Sequence, residues 1–131
     1  MKAIYALLLA ITLLNVSCEK MESASLDEKY CAITKVVGPS STTLGNEVSL
    51  EVEIYLNNGC SSFSGFREEL IDKTNEIRAV QQNKNSENVM CHQALVESKN
   101  TYKFKATSRG KYLLKFISVD NSIITHELTV N

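Results

Sequence analysis

Residues 46–56 read "NEVSLEVEIYL", and the alternation in them is unbroken. Val48, Leu50, Val52, Ile54 and Leu56 fall on one parity, and Glu47, Ser49, Glu51, Glu53 and Tyr55 on the other. Only an extended backbone, whose side chains project to opposite faces in turn, gathers the apolar set on one surface. A helix would scatter the same residues around its axis. The stretch therefore predicts a long strand, buried on one face and wet on the other, and other elements must cover the apolar face. "TYKFKAT" repeats the pattern, with Tyr102, Phe104 and Ala106 inward and Lys103 and Lys105 outward. "KYLLKFISV" sets Tyr112, Leu114 and Phe116 on one face and Leu113, Ile117 and Val119 on the other. A strand apolar on both faces belongs in the middle of a sheet.

Further strands are predicted at Cys31 to Val37, Phe63 to Ile71, Glu76 to Gln81, Val89 to Glu97 and Ser122 to Val130. Turn-forming clusters "GPSS", "NNG", "DKTN", "NKNSEN", "SRG" and "DNS" punctuate them. Residues 66–79, "FREELIDKTNEIRA", carry enough Glu, Leu and Arg to suit a helix, but the better reading is a hairpin. About seven or eight short, turn-separated strands point to an all-β, antiparallel β-sandwich, because a parallel sheet needs long helical crossovers.

The core is small. The chain has 131 residues, 44% of them hydrophobic, and a domain of that size is marginally stable without a crosslink. Fourteen basic and fifteen acidic residues nearly cancel, so no broad positive field exists to attract nucleic acid, and no nucleic-acid partner is expected. There is no tryptophan. Phe63, Phe66, Tyr102, Phe104, Tyr112 and Phe116 are needed inside, which leaves few aromatic platforms for stacking on a ligand.

The N-terminus has a different composition. Lys2 precedes the apolar run "AIYALLLAITLL", residues 3–14, which is too short to cross about 30 Å of hydrocarbon as a helix and reads as a signal peptide over residues 1–17. Ser17 and Cys18 then resemble the lipobox of bacterial lipoproteins, in which the leader is cut before a cysteine that receives diacylglycerol. Asn15 stands where the usual motif has leucine, a departure that the looser lipoboxes of Bacteroidetes tolerate. The resemblance implies a lipidated Cys18, palmitate among its acyl chains, and a membrane partner held through the anchor. Residues 18–29 form a polar tether, and the folded domain spans 30–131. Glu19 is not the aspartate that retains some lipoproteins at the inner membrane, so the outer membrane is the expected location, on its periplasmic or its surface face. The alternative is a soluble secreted or periplasmic protein cut near Cys18.

"VVGPSSTTLGNEVSLEVEI" resembles the opening of bacterial immunoglobulin-like domains. Gly110, Tyr112 and Leu114 in "RGKYLLKF" resemble the tyrosine corner of that fold, in which the hydroxyl bonds back to the main chain. Together with the leader, "NNGCSSF" and "VMCHQALVES" are similar to small Bacteroidetes lipoproteins with cysteines at those places. The resemblance implies an immunoglobulin-like sandwich and transfers no activity.

With Cys18 acylated, Cys31, Cys60 and Cys91 remain, an odd number. Cys60 and Cys91 lie at loop–strand junctions and form the favoured disulfide; the rival pairs Cys31 with one of them. Cys91 and His92 are sequence neighbours whose side chains would diverge on a strand, so a nucleophile–base pair would need His126 instead. No closely spaced Cys or His pair suggests zinc, and no metal or other cofactor is expected. Glu68 and Glu69 diverge in the same way. Glu51 and Glu53 share a face, among strands bearing lysines, and read as a charge-balanced surface. The expected function is that of a lipid-anchored binding or accessory module of the cell envelope, not an enzyme. Its partner would be a protein or peptide, met by the loops around Asn57 to Phe66, Asn83 to Asn88 and Ser118 to Ser122, with Phe63 and Phe66 as candidate contacts. An envelope protease inhibitor using the same loops is the alternative, and a small hydrolase with a reactive Cys31 or Cys91 is a third.

Overall fold

The computed structural model describes residues 28–83 and 90–131. The expected signal peptide, Cys18 and most of the expected tether lie outside the described residues. Among the described residues nine strands form: β1 (Glu28–Tyr30), β2 (Ala32–Val37), β3 (Ser41–Thr42), β4 (Glu47–Leu56), β5 (Ser61–Ile71), β6 (Thr74–Asn83), β7 (Val96–Lys105), β8 (Gly110–Ile117) and β9 (Ile123–Val130). The domain is all-β, and its two sheets face one another as a β-sandwich. The smaller sheet has the order β2-β4-β7, and the larger runs β1-β6-β8-β9-β3 with β5 on β6.

The alternation in β4 sets the core. Leu50, Val52 and Ile54 are fully buried, and Ile77, Leu114, Phe116 and Leu128 of the larger sheet close over them. As its two apolar faces require, β8 is central, between β6 and β9. The outward face of β4 carries the charges: Glu47 pairs with Lys103, Glu51 with Lys99, and Glu53 with both Lys99 and Lys35. Hydrogen bonding to Lys99 holds the Glu53 carboxyl below the usual carboxylate range. Glu51 and Glu53 are thus neutralised by β2 and β7, as a solvated sheet surface requires.

Two ladders depart from an all-antiparallel arrangement. β3 runs parallel to β9, and β6 runs parallel to β8 through Thr74↔Leu113 to Ile77↔Phe116. The second follows from the β5–β6 hairpin, which reverses at Asp72 and Lys73. Asp72 is left-handed there (φ 57°), and the Lys73 carbonyl accepts from Leu113 N–H, which seats the hairpin against β8. Since β5 occupies one side of β6 throughout, β8 and β1 share the other. The helix-compatible segment 66–79 is this hairpin. One strand expectation is corrected: residues 90–95 form no strand, and β7 starts only at Val96. There the chain is held by a disulfide and by its contact with Gly59, so it lacks the ladder partner a strand needs.

Gly110 and Tyr112 form the corner. The Tyr112 hydroxyl donates to the Ser108 carbonyl at 3.0 Å and accepts from Ser108 N–H at 3.3 Å, while its ring is buried against Phe104. Gly110 has φ +128°, so the backbone calls for glycine; the only close neighbour of a Cβ there would be the flexible Lys73 side chain, which can move aside.

Candidate functional site

The register defines two ends of the sandwich. β1 enters at one end, where Glu28 sits opposite Gln82. That entry end also holds the β4–β5 loop, residues 90–95 and the β8–β9 loop, because Leu56 lies opposite Val96 and Ile117 opposite Ile123. The far end holds the β5–β6 turn, the Thr43–Asn46 turn and the tyrosine corner. The loops expected to meet a partner, Asn57–Phe66 and Ser118–Ser122, therefore cluster at the entry end; of the third, residues 84–88 lie outside the described residues.

Cys60 and Cys91 are bonded, with Cα atoms 5.4 Å apart. The bridge joins the start of β5 to the segment before β7, and Gly59 N–H donates to the His92 carbonyl at 2.8 Å beside it. The β8–β9 loop is equally braced. Ser118 Oγ accepts from Ile33 N–H at 3.0 Å, Val119 N–H donates to the Cys31 carbonyl, and Asp120 accepts from both the N–H and the hydroxyl of Ser122.

Phe63 and Phe66 are not free loop tips. Both lie on β5, half-buried against the core. They begin an edge-to-face ladder, Phe63–Phe66–Tyr102–Phe116, with centroid spacings of 5.0, 5.3 and 5.4 Å, which seals the side of the sandwich between edge strands β5 and β7. Beside it the Tyr102 hydroxyl donates to Glu68 Oε2, and Asn75 Nδ2 reaches both Glu68 Oε2 (3.1 Å) and Tyr102 Oη (2.7 Å). Burial, reinforced by the Glu68 carboxylate, pushes the Tyr102 phenol far up from its ordinary value. Glu68 thus turns toward β7 and not toward Glu69.

The feature that sequence reasoning missed lies on the open face of the larger sheet. A depression of about 230 Å³ is lined by Tyr30, Arg67, Glu68, Glu69, Glu76 and Arg78. The β5–β6 register places Arg67 directly opposite Arg78, and Glu69 directly opposite Glu76. Like charges directly opposite one another weaken a ladder. Here Arg67 pairs with Glu28 of β1, and the Arg78 guanidinium sits 5.0 Å from the centroid of the Tyr30 ring. The signal was scattered over three strands, and only their pairing assembles it.

Neither cysteine named for reactive chemistry is an exposed thiol. Cys91 is in the disulfide, and Cys31 is free but fully buried, its thiol pushed up to about 11 by burial. A thiolate nucleophile requires the opposite environment. His92 lies at the entry end, whereas His126 Nε2 bonds the Pro39 carbonyl at 2.9 Å, away from both cysteines. Among the described residues no three His, Cys, Asp or Glu side chains gather to hold a metal ion.

A family model described as the ORF11 beta-sandwich domain matches residues 50–130, from within β4 to the last residue of β9. No curated protein matches the chain, and no solved structure does.

Proposed function

The chain belongs to the ORF11 beta-sandwich domain family, and from that premise we propose that it is a binding or accessory module, not an enzyme, held to an outer membrane of the cell envelope by a lipid on Cys18. The signal-peptide pattern and the Ser17–Cys18 junction support the anchor. The binding role is carried by one observation: the depression lined by Tyr30, a residue 45% exposed, together with two opposed arginines and two opposed glutamates. Such a surface suits a protein or peptide that offers charges of both signs and an apolar group between them. It lies on the face of a sheet braced by its neighbours, so contact requires no rearrangement.

Site-specific photocrosslinking in the native envelope tests this reading. A photoreactive residue at Tyr30 or Glu69 should give a discrete adduct that Arg78→Ala abolishes, whereas one at Lys103, on the opposite sheet, should give none. Equal labelling from both faces would overturn the assignment. Intact mass spectrometry of the membrane-extracted chain tests the anchor, which requires a mature N-terminus at Cys18 and the added mass of acyl chains.

A further inference from the structure

We infer that the entry end of the sandwich rests on the lipid bilayer itself, so that the bilayer is a contact surface of the folded domain as well as the site of its anchor. The inference rests on the lipidation of Cys18 proposed above. Nine residues separate Cys18 from Glu28, where β1 begins. A chain of that length reaches at most about 35 Å. It joins the domain at the entry end, so the loops there are the parts of the fold nearest the anchor.

Those loops present apolar side chains to the outside. Met90 is 99% exposed, Leu95 66% and Val119 53%. Met90 adjoins the bridged Cys91, and Val119 projects from a loop pinned by the bonds of Ser118 to Ile33 N–H and of Val119 N–H to the Cys31 carbonyl. A rigid loop that holds an apolar side chain outward loses little entropy when that side chain enters an interface. The far end also exposes apolar groups, but differently. Leu70 and Ile71 end β5 beside the Asp72–Lys73 turn, and Leu44 stands in the Thr43–Asn46 turn, so the apolar groups of that end share its turns with the charges of Asp72, Lys73 and Arg109.

Weak insertion suffices in this arrangement. An anchor within a few tens of ångströms keeps the loops at a high effective concentration beside the lipid, so contacts too weak to recruit a free domain still orient a tethered one. The single negative charge of the β8–β9 loop, Asp120, is already bound by the Ser122 N–H and hydroxyl. With the entry end down, the depression around Tyr30 opens sideways, clear of the bilayer.

Because the chain has no tryptophan, one introduced indole reports its own position. Full-length lipidated protein carrying Met90→Trp, Val119→Trp or Leu44→Trp would be reconstituted in phosphatidylethanolamine–phosphatidylglycerol vesicles, with or without acyl chains brominated near the headgroup. Circular dichroism would establish that each variant keeps its strands; the Met90 side chain has no packing to lose. Brominated lipid should quench Met90→Trp and Val119→Trp at least twofold and leave Leu44→Trp unchanged. Vesicle-bound, acylated protein with no quenching at either entry-end position, or with quenching at Leu44→Trp, overturns the orientation and leaves the anchor standing. Protein that carries no acyl mass and floats free of the vesicles overturns both.

Discussion

Tyr112 shows how much one hydroxyl can hold. It ties the start of β8 to Ser108 through a donated and an accepted bond, and its ring fills the core edge against Phe104. Tyr112→Phe keeps the ring and orphans the Ser108 groups, so it should cost about 1 to 2 kcal/mol, read as a lower urea midpoint with an unchanged slope. Two other residues set the alkaline limit of the fold. Cys31 is raised from its ordinary 9.0 to about 11, and Tyr102 is raised above its ordinary 10.0. Both are acids that the native state keeps neutral, so their contribution is complete below the unfolded values and is lost as pH rises toward the folded ones. The urea midpoint should hold up to about pH 9 and fall steadily between about pH 9 and 11. A midpoint flat across that window would contradict the burial of both groups. Native Cys31 should also resist iodoacetamide at neutral pH and react once the chain unfolds.

At the scale of elements, the Cys60–Cys91 bridge ties the start of β5 to the segment before β7. It closes a separation of 31 residues, which the chain-entropy estimate values at about 3 to 4 kcal/mol. Cys60→Ser with Cys91→Ser should lower the thermal midpoint by more than 10 °C for a domain of this size, and protease should then cut first between β6 and β7. The bridge was favoured because Cys60 adjoins the "NNG" cluster and Cys91 stands three residues after "NKNSEN". The strand expected over residues 89–97 was not delimited correctly, because nothing local in "MCHQAL" says that a disulfide would replace a ladder there. The charged face of the smaller sheet predicts the opposite kind of result. Lys99→Ala breaks the pairs with Glu51 and Glu53; Glu51 lies in water, and Glu53, whose side chain is only 17% exposed, keeps its contact with Lys35, so the urea midpoint should fall only slightly and the change should shrink in 0.5 M salt.

The molecule as a whole should unfold as one unit. Its core is shared: Ile54 of the smaller sheet and Phe116 of the larger are both fully enclosed in one cluster. Ile54→Ala should cost about 2 to 5 kcal/mol, with far-ultraviolet and tyrosine near-ultraviolet signals moving together. Separate transitions for the two signals would mean that the sheets do not share a core. By itself the sequence determined which side chains of β4, β7 and β8 face inward and that β8 is central, and it favoured the Cys60–Cys91 bridge and a corner at Gly110 and Tyr112. Those properties depend on side-chain period and on neighbours a few residues away, and period and turn chemistry are local. Only the tertiary structure decided that β6 runs parallel to β8, that Phe63 and Phe66 seal an open side, that the loops gather at the end where β1 enters, and that Arg67, Arg78 and Tyr30 meet on one face. Each of these depends on strand pairing between segments far apart in the chain, where many registers satisfy the same alternation and only the packed whole selects among them.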